Sequence, residues 1–413
     1  MRRFVFRVGM FMALVLSAGV VAPAFAQTAT FTDVFNSTNT EFSGFIGYSV
    51  NSAGTVAFVA VRSATAGGGG GIYTALNTSG VTAIALDTSP EFSAFSIPTI
   101  NSSGTVAFLA GRDAGGQGIY TASNISGFTT VALSTTPEFS ILADPSLNSN
   151  GVVAFRAKRD PLRDGIYTAT NTNASNTVAL NSNSEFRFLD GSPVINSIGV
   201  VAFRADRNAA VGGGSGIYTA TNTGSFTTIA LTTSPEFSGF GLPTINSAGL
   251  IAFTAGRDAG GSGVYTATNA GRFNTIALSD SPEFSAFNSA VLNNLGTVAF
   301  SASRDAGGTG IYAALTGITN PFTIIRTGDT LFGSTVTDLN FYQGLAEDSN
   351  TLAFTYTLAN GVTGIARANI SNVTTAPEPA SFALFTLSSL PVGVGVLRHR
   401  KRRHCCGKSS KKP

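Results

Sequence analysis

Asn246-Ser247-Ala248-Gly249-Leu250-Ile251-Ala252-Phe253-Thr254-Ala255-Gly256-Arg257-Asp258-Ala259-Gly260-Gly261-Ser262-Gly263-Val264-Tyr265 holds the pattern that decides the fold. Two short apolar runs, Ile251-Ala252-Phe253 and Val264-Tyr265, each follow a turn signal. The first turn is Asn-Ser-x-Gly, where glycine supplies a positive φ. The second is Arg257-Asp258-Ala259-Gly260-Gly261. Short apolar-alternating runs between Gly-, Asn- and Asp-rich turns read as strands joined by hairpins.

The same unit recurs along the chain. Asn-Ser-x-Gly or a close variant begins at Asn51, Asn101, Asn148, Asn196, Asn246 and Asn293. A degraded seventh copy is Glu347-Asp348-Ser349-Asn350, and the spacings are 50, 47, 48, 50, 47 and 54. The Val-Ala-Phe run places Phe58, Phe108, Phe155, Phe203, Phe253, Phe300 and Phe354 at equivalent points. Gly-Ile/Val-Tyr follows at Tyr73, Tyr120, Tyr167, Tyr218, Tyr265 and Tyr312, with Gly364-Ile365-Ala366 in the seventh copy. An Ile/Val-Ala-Leu run, as in Ile84-Ala85-Leu86, completes five of the units, and Phe322-Thr323-Ile324-Ile325 takes its place in the sixth. With the Phe-Ser-x-Phe segment ahead of Asn-Ser-x-Gly, this makes a four-stranded meander of about 48 residues, within the range of propeller repeats. One such sheet cannot bury both faces alone, whereas seven arranged radially can. The expected fold is therefore all-β, a seven-bladed β-propeller of four-stranded blades, with a β-solenoid as the alternative. The seventh copy runs out at Ile370 without an outer strand, while Thr28 to Phe35 is a strand-like segment without a repeat. That N-terminal strand is expected to complete the seventh blade and remove an exposed edge.

The repeat resembles the TolB-type, WD-like propeller units, in which a turn ending in Asp-Gly precedes an Ile-Ala-Phe strand and an Ile-Tyr strand follows. Pro98 to Tyr120 and Pro243 to Tyr265 carry that layout, and the resemblance covers 28–370 in outline. Asn-Ser-x-Gly replaces the Ser-Pro-Asp-Gly usual there.

Composition bounds the chemistry. Of 413 residues, 43% are hydrophobic and only 11% charged, with 32 Phe, 47 Gly and no Trp. Such a chain is β-rich and globular, not disordered. The formal charge of +3 comes from the ends. Residues 27–376 hold 14 basic and 21 acidic side chains, a net charge near −7, which offers no basic field for nucleic acid. His399, His404, Cys405 and Cys406 all lie in the C-terminal tail, and Lys158 is the one lysine of the body. The body thus has no residues for a disulfide, a Ser-His-Asp or Cys-His nucleophile, or a His/Cys zinc site. Only a carboxylate pair of the glycosidase kind stays open to catalysis.

The two ends read as export signals. Residues 1–26 have Arg2, Arg3 and Arg7, an apolar core from Val8 to Val21, and the small-x-small site Ala24-Phe25-Ala26, the pattern of a signal peptide removed by signal peptidase. Residues 371–379 form a linker ending in Pro377-Glu378-Pro379. An apolar segment, 380–397, is about long enough for one membrane crossing. A basic tail, 398–413, would stay on the cytoplasmic side and leave the body, 27–370, outside. This tripartite end resembles the PEP-CTERM sorting signal of Gram-negative bacteria over about thirty residues, with His404 to Pro413 as a longer basic end than usual. The resemblance implies recognition by an exosortase, transient anchoring in the inner membrane, and sorting to the envelope or outside, in bacteria that produce exopolysaccharide and form biofilms.

Two charges recur in the body. Glu precedes Phe at Glu41, Glu91, Glu138, Glu185, Glu236 and Glu283. Arg follows the second-strand Phe by four residues at Arg62, Arg112, Arg159, Arg207, Arg257 and Arg304. Both are lost in the seventh copy, where Leu358 replaces Arg and Thr337 is expected at the Glu position. Their joint loss points to a structural pair, with a pore-lining carboxylate ring as the other reading. The turns at Asp113, Asp258 and Asp305 offer one carboxylate each, too few for calcium. The run Gly67 to Gly71 lacks the Lys-Ser/Thr of a phosphate loop and reads as a hairpin tip. Asp144, Asp190 and Asp329 depart from the pattern and read as loop residues. The expectation is a non-enzymatic extracellular matrix, adhesion or ligand-binding propeller without metal or cofactor, with extracellular polysaccharide as a candidate partner. A carboxylate-based carbohydrate-active enzyme and a ligand-free coat protein are the alternatives.

Overall fold

The computed structural model describes residues 25–374 apart from 136–137, 160–162, 173, 183, 224 and 316–319. The expected signal segment up to Ala24, Pro377-Glu378-Pro379, the apolar segment and the basic tail lie outside the described residues. Seven antiparallel sheets follow one another along the chain, and the architecture is the propeller and not the solenoid. Blade 1 is built, from channel to rim, of Phe42–Val50, Val56–Arg62, Gly70–Ala75 and Val81–Leu86. Blades 2 to 6 repeat that order. In blades 2, 3 and 5 the inner strand is split into two pieces. The second pieces, Thr99–Ile100, Ser146–Leu147 and Thr244–Ile245, each follow a proline, Pro98, Pro145 and Pro243, which cannot donate to the ladder. Among the described residues the only helical elements are single 3-10 turns at Ala64–Ala66 and Ala209–Val211.

Alternation along the second strand sorts its side chains between two neighbours. In blade 2, Val106, Phe108 and Ala110 pack with Ile72, Ile84 and Ala85 of blade 1. Ala107 and Leu109 turn the other way, onto Phe139, Phe155 and Tyr167 of blade 3. A period of two thus buries both faces, which a half-exposed sheet could not achieve. The third-strand Tyr stacks on the second-strand Phe, with ring centroids 5.8 Å apart for Phe108 and Tyr120 and 5.6 Å for Phe300 and Tyr312. The Glu-Phe phenylalanine meets that Tyr edge-on, at 5.0 Å for Phe92 and Tyr120. The Tyr ring folds back over the Gly two residues earlier. A Cβ at Gly263 would stand 2.6 Å from the Tyr265 hydroxyl oxygen, which explains the fixed Gly of Gly-Ile/Val-Tyr.

The seventh blade is shared by the two ends of the body. Its inner three strands are Ser334–Asn340, Thr351–Leu358 and Thr363–Thr374, and its rim strand is Phe25–Asn36. The rim strand is longer than the expected Thr28 to Phe35 and includes Ala26, and the last strand runs four residues past the expected boundary at 370. Val34 and Phe35 cover blade 1 by packing with Phe42, Val56 and Phe58, the place that Ile84 and Ala85 take against blade 2. Tyr356, on the second strand, lies over Gly364 and donates to Asp33 Oδ1 at 3.0 Å. It therefore fills from the adjacent strand the space that the third-strand Tyr fills in the other blades.

Candidate functional site: the channel and the seam between the first and last blades

The residue before each Asn-Ser-x-Gly turn faces the channel axis. Val50, Ile100, Leu147, Ile195, Ile245 and Leu292, with Leu345 from blade 7, surround a cavity of about 130 Å³. All except the half-buried Leu147 are buried. The Asn beside each of them does more than turn the chain. The Asn101 side-chain oxygen accepts from the Thr105 N–H at 3.0 Å, and its amide donates to the Asn148 carbonyl of the next blade at 3.1 Å. The same inter-blade bond runs from Asn51 to Asn101, Asn148 to Asn196, Asn196 to Asn246, Asn246 to Asn293, and Asn293 to Ser349. Each buried Asn thereby satisfies its own turn and one neighbour.

At the seventh position Glu347 stands in place of Asn, and the ring closes by other means. The Asp348 N–H donates to Ser52 Oγ at 3.0 Å, and Arg367 donates to the Gly54 carbonyl at 2.7 Å. Burial holds the Glu347 carboxyl above its usual range, Asp348 adds to the shift, and a bond from Asn294 opposes it. Glu347 and Gln343 are the blade 7 polar residues at the cavity.

Alongside the channel, between blades 7 and 1, lies a groove of about 520 Å³. Buried Tyr48 pins its floor: its hydroxyl donates to the Asn340 carbonyl and accepts from the Tyr342 N–H, both at 3.1 Å. Gln343 adopts φ +50, a left-handed conformation that few non-glycine residues take. Gly47, at φ +57, lets Ile97 pack in, since a Cβ there would stand 2.5 Å from the Ile97 side chain. The groove presents the Tyr342 ring, 41% exposed, the Ile46 side chain, 60% exposed, and the polar side chains of Asp338 and Asn340. Burial raises the Tyr342 hydroxyl pKa, and the carboxylate of Asp144 from blade 3 adds to it. At neutral pH the tyrosine is a neutral donor and acceptor.

The recurring charges lie elsewhere, around the Tyr hydroxyls at the end of each blade where the second strand turns into the third. Arg62 and Glu41 approach to 3.8 Å, Arg207 and Glu185 to 2.7 Å, and Arg159 bonds Glu138. Arg112 instead donates to Thr135 Oγ1 at 3.1 Å, and Arg257 turns to Asp280 at 2.8 Å. In blade 6 burial pushes the Tyr312 hydroxyl up to about 12, with the Glu283 carboxylate adding to the rise and Arg304 opposing it. Register places Thr335, not Thr337, at the missing Glu position. Val336 pairs with Leu358 as Phe42 pairs with Arg62, and Ala359 donates to the Thr335 carbonyl as Ser63 does to Glu41. Asp190 is not a free loop residue, because it pairs with Arg204. Asp329 accepts from the Arg326 N–H within its own turn at 2.7 Å. Among the described residues no three His, Cys, Asp or Glu side chains converge, and Asp113, Asp258 and Asp305 stand one to a turn.

Blades 3 and 4 hold a charged cluster that the repeat pattern alone did not single out. Arg156 Nε donates to both oxygens of buried Asp164, at 2.9 and 3.1 Å, and its guanidinium lies 5.2 Å from the Phe188 ring centroid. Arg204 reaches both Asp190 and the Phe240 carbonyl of blade 5. The signal was present: the residue after the second-strand Phe is Arg in these two copies and Val, Leu, Thr or Ser elsewhere.

Comparison with known proteins now fits onto this geometry. Residues 123–341 match the profile of a family of unknown function, DUF7453. The chain belongs to this family. A search of curated proteins finds none that matches the sequence. Among solved structures, the Pyrococcus horikoshii acylaminoacyl peptidase is similar at TM-score 0.52 and 12% identity, covering 81% of this chain and 53% of that one. Apo prolyl oligopeptidase B from Galerina marginata is similar at TM-score 0.51 and 10% identity, covering 82% and 50%. TolB from Acinetobacter baumannii overlaps more loosely, at TM-score 0.40 and 14% identity, over 65% of each chain. This DUF7453 chain spans about half the length of the peptidases it matches, and at these identities the likeness is one of fold alone. Among the described residues no helix is long and apolar enough to cross a membrane.

Proposed function

We propose that this chain is an exported, surface-anchored or released propeller that binds extracellular polysaccharide without catalysis and is sorted by an exosortase. The observation that carries the binding reading is the groove between blades 7 and 1. It lies at the copy that departs furthest from the repeat, so its residues are not fixed by the common needs of blade packing. An exposed Tyr ring and an aliphatic side chain suit the apolar faces of a sugar, while the Asn340 amide and Asp338 carboxylate suit its hydroxyls. The size is that of a ligand site. The leader, the Pro377-Glu378-Pro379 motif and the flanking basic cluster support export and sorting. The absence of His and Cys from the body supports a non-catalytic role.

The test is retention of the full chain on immobilised exopolysaccharide from a host that carries an exosortase. Tyr342→Ala and Asp338→Asn are each expected to weaken retention at least tenfold with an unchanged unfolding midpoint. Retention equal to wild type in both variants would remove the groove from the account.

A further inference from the structure

A second groove lies away from the channel. It measures about 770 Å³ at the rim of blade 5, lined by Glu236, Arg257, Tyr265, Arg272, Phe273 and Asn274 among others. The recurrent Arg and Glu are arranged differently from copy to copy: in blade 2 Arg112 turns to Thr135, and among the described residues of blade 6 Arg304 and Glu283 form no ion pair. In blades 1, 3 and 4 the recurrent Arg lies over the recurrent Glu, as Arg62–Glu41, Arg159–Glu138 and Arg207–Glu185. In blade 5 Arg257 swings to Asp280, and among the described residues Glu236 has no ion-pair partner. Arg272 is a second departure. It stands in the turn between third and rim strands, where blades 1, 2 and 4 carry Gly80, Gly127 and Ser225, and among the described residues it too has no ion-pair partner. Both side chains are exposed.

We infer that this groove is a second binding site, for a neutral saccharide with vicinal hydroxyls. Glu236, Arg272 and Asn274 each present two coplanar hydrogen-bonding atoms, which match pairs of adjacent hydroxyls. Phe237, Tyr265 and Phe273 make the apolar wall, with Phe237 and Phe273 edge-on at 4.9 Å. The two unpaired charges are of opposite sign, and the body carries a net charge near −7. Such a surface disfavours an acidic polymer. The site is independent of the seam groove, since its lining residues all come from blade 5.

The experiment is calorimetric titration of the full chain with cellohexaose and laminarihexaose, with an oligogalacturonate of equal length as the acidic comparison. Arg272→Ala and Glu236→Gln are expected to weaken the neutral ligand at least tenfold. Asp280→Asn is a separate lever, because Asp280 itself does not line the groove. It frees Arg257 to pair with Glu236, as in blades 1, 3 and 4, and is expected to close the groove with a similar loss. Tyr342→Ala, in the other groove, should leave this binding unchanged. No binding of either neutral hexasaccharide, binding only of oligogalacturonate, or wild-type affinity in the three blade 5 variants overturns the inference. Loss in Tyr342→Ala with the blade 5 variants unaffected also overturns it, while leaving the seam reading standing.

Discussion

At the scale of the residue, the recurrent Asn joins the blades to each other. Asn101 is buried, and its removal leaves the Thr105 N–H without its partner and takes one of the two bonds accepted by the Asn148 carbonyl, which keeps the Gly151 N–H. An unmet buried polar group costs about 1–3 kcal/mol, so Asn101→Ala should lower unfolding free energy by about 2–3 kcal/mol in urea titration. A loss within the ordinary surface range of about 0.5 kcal/mol would show that the inter-blade bonds carry little. Asp33 gives a prediction with a pH sign. Burial raises its pKa above 3.8, against opposing bonds from Asn36 and Tyr356. A carboxyl with a raised folded pKa favours the fold below its unfolded pKa and loses that contribution as pH rises through the folded value. Asn keeps an oxygen for the Tyr356 hydroxyl and removes the charge. Asp33→Asn also loses the bond from the Asn36 amide at every pH, so its stability relative to wild type should rise from acid pH to pH 7 as the wild-type carboxyl ionises. A fall in relative stability over that range would reverse the assignment. The turn role of Asn-Ser-x-Gly was legible from its glycine. Its bond to the next blade was not, because the acceptor lies 47 to 50 residues away for five of the six and depends on ring geometry.

At the scale of the element, the seventh blade decides whether the ring is closed. Thr28 Oγ1 and Ser371 Oγ are 3.1 Å apart across its rim, although 343 residues separate them in sequence. Thr28→Cys with Ser371→Cys, in a chain with Cys405 and Cys406 changed to Ser, should form an intramolecular disulfide on mild oxidation. Closing so long a loop should raise the unfolding midpoint. Free thiols or only intermolecular dimers would contradict the shared blade. The N-terminal strand was legible because the seventh copy lacks an Ile-Ala-Leu run while Thr28 to Phe35 has no repeat of its own. The position equivalent to Glu in that copy was misplaced by two residues, Thr337 for Thr335. The pairing of Val336 with Leu358, which sets that register, is not visible in a degraded copy without its Glu and Arg.

At the scale of the whole molecule, the count of seven blades followed from the spacing of Phe58 to Phe354, since an inter-blade core needs the same aromatic at the same depth in each copy. The grooves were less legible. The one at the seam draws on residues 45–48, 97 and 338–363, which only ring closure brings together. The one on blade 5 has Arg257 turned to Asp280, a carboxylate that repeat averaging hides. The most direct measurement is the location and C-terminal mass of the full chain, expressed in a host with an exosortase, with and without Pro377-Glu378-Pro379. Release or shortening of the C-terminus that depends on this motif is the predicted result. An intact tail in the inner membrane with or without the motif would contradict a sorted extracellular propeller.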